Sequence, residues 1–177
     1  MIKSIVLRRI KAFAIDYLII LLYIGLLLAT TLLVSRVFSV NIEKPGPVSG
    51  QLIGFFTLTL PVILYFTISE NSKKAGTIGK RTFHLQVVSN NFTKVRFGQL
   101  LIRNSVKFLP WEMAHFFVFR LFYFARNNAQ TPDWVLAGLI ASQGIALLYL
   151  IYLIVNKNNR SLYELLSQTR VIQMKNG

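Results

Sequence analysis

The sequence predicts an all-α integral membrane protein with four transmembrane helices, plus a small basic cytoplasmic hairpin and an interfacial helix between the second and third spans. Three observations predict it. Apolar residues arrive in long blocks, lysine and arginine gather on one side of those blocks, and proline, tryptophan and turn-forming residues mark the block ends.

Residues 13–34, 52–69 and 134–155 each approach the roughly 20 apolar residues needed to cross a hydrocarbon layer of about 30 Å. A hydrophobic content of 54% spread evenly would instead fit a soluble core. A fourth block, 111–125, is shorter and carries Glu112, His115 and Arg120, so its charge setting has to decide its role. If it spans, sixteen of the twenty Lys and Arg fall on one side. They are Lys3, Arg8, Arg9 and Lys11 at the N-terminus, the eight cations of the loop 71–109, and Lys157, Arg160, Arg170 and Lys175 in the tail. Arg36, Lys44, Arg120 and Arg126 remain. The positive-inside rule then places both termini in the cytoplasm and the chain, residues 1–177 as one domain, in the cell membrane. No small-residue cleavage site follows the first block, which is also too long for a signal-peptide core, so it is expected to stay as the first span.

Within this frame each segment has a local reason. The stretch 36–50, with its proline and glycine residues, reads as an irregular external connection. Pro61 should kink the second span, with Thr57 one turn earlier able to satisfy the freed backbone. In the cytoplasmic loop, "TFHLQVV" alternates in part, "SNN" forms turns, and "FTKVRF" can return as a second strand, which predicts the hairpin. From 96 to 108, Arg96, Arg103 and Lys107 make one helical stripe, and Phe97, Leu101 and Phe108 an adjacent apolar one. That pattern predicts a helix lying in the headgroup plane. Pro110 then suits the first turn of the third span and Trp111 its interfacial anchor. For the fourth span Thr131 reads as N-cap, followed by Pro132, Asp133 and Trp134. No internal repeat is visible.

The net charge of +14 raises nucleic acid as a partner, but the cations flank apolar spans and do not cluster with exposed aromatics. No nucleic acid is expected; the lipid bilayer and its anionic headgroups are the expected partners, with a homo-oligomer or membrane partner in addition. The chain has no Cys and only two His, which excludes disulfides and thiolate sites and makes a metal centre or other cofactor unexpected. "GTIGK" lacks the spacing of a phosphate loop.

Three separated stretches also match one pattern. "RRIKAFAID" resembles the RR-x-x-A-x-x-x-D start of the first helix in RDD family membrane proteins, "GTIGKRTFHLQVV" their T-x-G-K-R block, and "RSLYELLSQTRVI" their L-x-D-x-x-x-x-T-x-V block. The resemblance places family positions on Arg9, Asp16, Thr77, Gly79, Lys80, Glu164 and Thr169. Glu164 stands where the family has aspartate, and His84 and Gln168 stand where it more often has glycine. Lys11 occupies a usually apolar position. The resemblance implies transport of small ions, including sodium or proton antiport, for some members.

Asp16 is the residue that most requires explanation. It lies about 6 Å past the span boundary at about 1.5 Å per residue, and its helical neighbours Ala12, Phe13, Ile19 and Ile20 offer no partner. A carboxylate there costs on the order of 3 kcal/mol unless something compensates. A salt bridge or capping contact, with Arg81 or Arg103 as donor, is the structural reading; exchange of a proton or cation is the functional one. Glu112 and His115, three apart, form the other candidate proton or ion site, although Glu112 also suits a first helical turn. Glu164 is expected to pair with Arg160, Glu70 with Lys73 and Lys74, and Arg120 with the external interface or a neighbour's Glu112. No catalytic constellation is recognisable, so no enzyme is expected. The two functional readings are small-ion or proton-coupled transport through Asp16, Glu112 and His115, and a non-transporting scaffold or assembly factor.

Overall fold

A computed structural model describes residues 4–39 and 45–174. Expectations resting on Lys3, Lys44, Lys175 and residues 40–44 of the first loop lie outside the described residues.

The chain is mostly helical. Helix α1 (Ser4–Phe38) is followed by a continuous helical rod made of α2 (Pro47–Gly54), a π-helical turn (Phe55–Thr59) and α3 (Leu60–Asn71). Then come α4 (Ile78–Thr82), β1 (Leu85–Ser89), α5 (Phe97–Arg126), α6 (Asp133–Val155), α7 (Leu162–Leu166) and β2 (Thr169–Gln173). Three stretches, Ser4–Phe38, Pro47–Asn71 and Asp133–Val155, are long and apolar enough to cross a membrane. Their outer faces carry exposed leucines, such as Leu22 in the first, Leu52 in the second and Leu147 in the third, as lipid contact requires.

The interfacial helix does not exist as a separate element. Residues 96–108 are the first turns of α5, which continues through Pro110 to Arg126. Pro110 leaves the carbonyl of Val106 without its helical donor, and the Tyr149 hydroxyl of α6 donates to that carbonyl at 3.1 Å. Pro61 is handled the same way. The Tyr23 hydroxyl of α1 donates to the Thr57 carbonyl at 2.6 Å, while Thr57 uses its own hydroxyl on Ile53 at 2.7 Å. The π-turn just before Pro61 takes up the remaining distortion. The two stripes do not hold as units: Arg103 is buried, drawn inward by carboxylates of α3 and α7, and Phe97 and Leu101 are exposed, while Arg96 stays exposed and Phe108 buried.

The expected hairpin is replaced by a longer-range pairing. β1 pairs antiparallel with β2, Leu85 opposite Gln173 and Val87 opposite Val171, while residues 92–97 form no strand with it. Leu85, Val87 and Val171 pack with Ala12, Val95 and Leu100 into a core that seals this end of the molecule. A second cluster, Ile20, Val62, Ile63, Phe66 and Phe108, joins α1, α3 and α5 farther along.

The two strands belong to matching units, a repeat that the sequence does not announce. In one, Thr77 caps α4, His84 takes a left-handed backbone (φ 54) and β1 follows. In the other, Ser161 caps α7, Gln168 takes φ 52 and β2 follows. The glycine preference expected at these two positions is explained by that left-handed φ. For α6 the cap is Pro132 with no side-chain hydrogen bond, in place of Thr131.

Candidate functional site

The two units meet the start of α1 at one end of the helices, and most of the motif residues converge there. Asp16 is buried (1% exposed) and accepts three hydrogen bonds from outside its helix. The Thr77 hydroxyl donates to Oδ2 at 2.6 Å, the Gly79 amide to Oδ1 at 2.9 Å, and the Tyr65 hydroxyl to Oδ1 at 3.1 Å. Asp16 thus caps α4 from another helix. Glycine at 79 is what permits the approach, since a Cβ there would lie 2.0 Å from the Ala12 carbonyl oxygen. Neither Arg81 nor Arg103 is the donor: Arg81 reaches the Ser72 hydroxyl, and Arg103 belongs to a second network.

That network alternates in sign. Lys80 pairs with Glu70 at 2.5 Å, and Glu70 meets Arg103 Nε at 3.3 Å. Arg103 pairs with Glu164 at 3.1 Å, and Glu164 with Arg9 at 2.6 Å. Asn104 donates to Glu70 at 3.2 Å, the Ser161 amide to Glu164 at 3.0 Å, and Arg103 to the Thr169 hydroxyl at 2.8 Å. Both glutamates and Arg103 are essentially inaccessible to solvent. Burial alone raises the Glu164 carboxyl, but Arg9, Arg103 and the Ser161 amide outweigh it and hold it below the ordinary value. Such a ladder contributes little over well-packed apolar groups, yet removing one member is expensive, about 3–5 kcal/mol, because it strands a buried charge.

Three expected local pairs give way to these longer ones. Glu164 takes Arg9 and Arg103, and Arg160 instead donates to the backbone carbonyls of Glu164 and Thr169. Glu70 takes Lys80 and Arg103, while Lys73 and Lys74 stay exposed. Arg120 meets Gln51 at 3.3 Å and lies over the Phe116 ring. Glu70, Arg103, Asn104 and Tyr65 escape a motif-based search, although the boundary position of Glu70 beside a basic loop was a signal.

Glu112 and His115 form a separate group deeper along α5. Glu112 accepts from Thr59 at 2.6 Å and from Gln51 at 3.4 Å, so Gln51 bridges it to Arg120 within the chain. It lies mid-helix, so the first-turn explanation does not apply. His115 Nδ1 is 3.9 Å from its carboxylate and has no hydrogen-bond partner. Among the described residues no cluster of three or more His, Cys, Asp or Glu is arranged to hold a metal.

A cavity of about 790 Å³ opens between α1, α5 and α6. Its walls are mainly apolar, with Asp16 and His115 on the lining and Arg9, Lys80, Arg103 and Lys107 at one end. No curated protein and no solved structure shows a significant match to the chain. The model of the RDD family matches residues 4–168, which include Arg9, Asp16, Thr77, Gly79, Lys80 and Glu164 of the converging networks, and the chain therefore belongs to the RDD family.

Proposed function

We propose that this protein is a non-enzymatic membrane scaffold, crossing the cell membrane four times with both termini in the cytoplasm. The observation that carries the reading is that every carboxylate at the polar end is held by three fixed protein donors. Asp16 holds two hydroxyls and an amide, Glu164 two guanidinium groups and an amide, and Glu70 an ammonium, a guanidinium and an amide side chain. A cation would have to displace or share these donors to bind, which favours a structural junction. Exposed Lys73, Lys74, Lys94 and Arg96 beside it offer a basic surface to anionic headgroups or an acidic partner.

Four crossings are supported by the course of α5. Arg103 sits with Glu164 at the polar end, and Arg126 donates to the Pro45 carbonyl at the opposite end, beside the connection between the first two spans. The sixteen cations then share one side.

One observation favours ion or proton movement as a second reading: His115 faces the cavity with an unpartnered Nδ1 near Glu112. Proteoliposomes under imposed pH, sodium and potassium gradients separate the two. The scaffold predicts no flux above empty vesicles from correctly inserted protein. Gradient-dependent flux that vanishes in well-folded Glu112→Gln or Asp16→Asn would replace it with an exchanger.

A further inference from the structure

We propose that the cleft between α1 and α6 binds one anionic phospholipid of the leaflet at the polar end, with the lipid phosphate on Lys107. The inference depends on membrane placement and not on the scaffold reading. Flux from a protein that also holds this lipid would overturn the scaffold and leave the lipid site standing.

Shape is the first argument. The cleft, about 790 Å³, has the size of a small-molecule site, for which about 300–1,000 Å³ is usual. Its α1 wall runs from Arg9 to Ile20 and its α6 wall from Leu153 to Ser142. Eleven residues at about 1.5 Å each give a depth of roughly 16 Å. One leaflet of a hydrocarbon layer of about 30 Å has nearly that depth. Below the charged end the walls are mainly apolar, with Ile20, Val118 and Leu150 suited to an acyl chain and His115, Ser142 and Gln143 as the polar points.

Charge is the second argument. Four cations, Arg9, Lys80, Arg103 and Lys107, line the charged end of the cleft. Three carboxylates, Asp16, Glu70 and Glu164, lie among them, one fewer than the cations. In the ladder three cations share two carboxylates, Glu70 and Glu164. Lys107 stands outside the ladder: among the described residues its ammonium makes no ion pair, and it is held over aromatic rings, 3.6 Å from the centre of Phe66, 4.9 Å from Phe108 and 5.0 Å from Phe13. Ring faces attract a cation without cancelling its charge. Holding a protonated lysine over ring faces inside a membrane protein is costly, and an anion arriving on an apolar tail offsets that cost. A free inorganic anion would leave the apolar walls unused.

The test is native mass spectrometry of the full-length protein, stripped of lipid in mild detergent. It is titrated with phosphatidylglycerol or phosphatidylcholine of identical chains, with inorganic phosphate as competitor. One phosphatidylglycerol should bind, preferred by about tenfold, the scale of one charge-assisted contact. Lys107→Gln should abolish the preference and Lys107→Arg should keep it, which separates charge from folding. Ala146→Trp, at an exposed position on the cleft wall, should weaken both lipids while leaving the melting temperature unchanged. Equal binding of the two lipids, or unchanged binding in Lys107→Gln and Ala146→Trp, would overturn the proposal. So would displacement by inorganic phosphate, which would indicate a free-anion site, or cross-linking of cleft residues to a second copy.

Discussion

The two helix–strand units, Thr77–Ser89 and Ser161–Gln173, have the same backbone plan and opposite electrostatics. Each begins with a capping hydroxyl, runs one short helix, turns through a left-handed residue and enters a strand. At the third helical position the first unit carries Lys80 and the second Glu164. Glu164 turns back to its own unit's first amide, that of Ser161, completing a capping box from within. Lys80 is a cation and cannot do this, so the first unit takes its acceptor from Asp16 of α1. The difference explains why α1 needs both an arginine and an aspartate seven residues apart. Arg9 answers the unit that brings its own carboxylate, and Asp16 answers the unit that lacks one.

Glu164→Gln attacks the self-capped unit and should have the largest effect. It leaves Arg9 without a carboxylate and Arg103 with Glu70 alone, and should destabilise by about 3–5 kcal/mol, read as a lowered melting temperature in micelles. The same carboxyl gives a pH dependence. Its folded value lies below the ordinary 4.5. The stabilisation is therefore complete above that ordinary value and is lost as pH falls through the lower folded one. Thermal melts should lose stability on that acid side, and Glu164→Gln should flatten the dependence.

Gly79→Ala attacks the externally capped unit. The added carbon meets the Ala12 carbonyl, so α4 must move off α1 at a cost of roughly 1–3 kcal/mol. Tyr23→Phe and Tyr149→Phe remove the hydroxyls that serve the two proline-freed carbonyls. Each should cost about 1–2 kcal/mol in the same melts. The smallest change has the opposite sign: His84→Gly and Gln168→Gly relieve equivalent left-handed turns, and each should stabilise by about 0.5–1 kcal/mol. Unequal gains would show that the two units are not equivalent in strain.

How far the sequence carries depends on whether a partner is local. The three long apolar stretches are legible because length and hydropathy are local properties. So is the need of Asp16 for an outside partner, since its own helix offers only apolar neighbours. The donors were not legible: a search for cations passes over a hydroxyl and a backbone amide, and Gly79 advertises neither. The sheet was missed because β1 and β2 lie on opposite sides of α5 and α6 in the chain, whereas 92–97 offered a closer partner. Pro110 looked like a helix start because the Tyr149 hydroxyl that lets α5 continue comes from α6. Glu164 and Arg160 satisfied a four-residue rule that the stronger contacts with Arg9 and Arg103 override.

Amide hydrogen exchange in Asp16→Asn tests the central claim most directly, because the claim is that this carboxylate exists to cap α4. The account predicts faster exchange at Gly79 and Lys80 and through the short helix 78–82, with 161–166 as protected as in the native protein. Unchanged protection at 78–82 would contradict it. If gradient-driven ion flux were lost in that same intact variant, Asp16 would be a working ion site in place of a structural one.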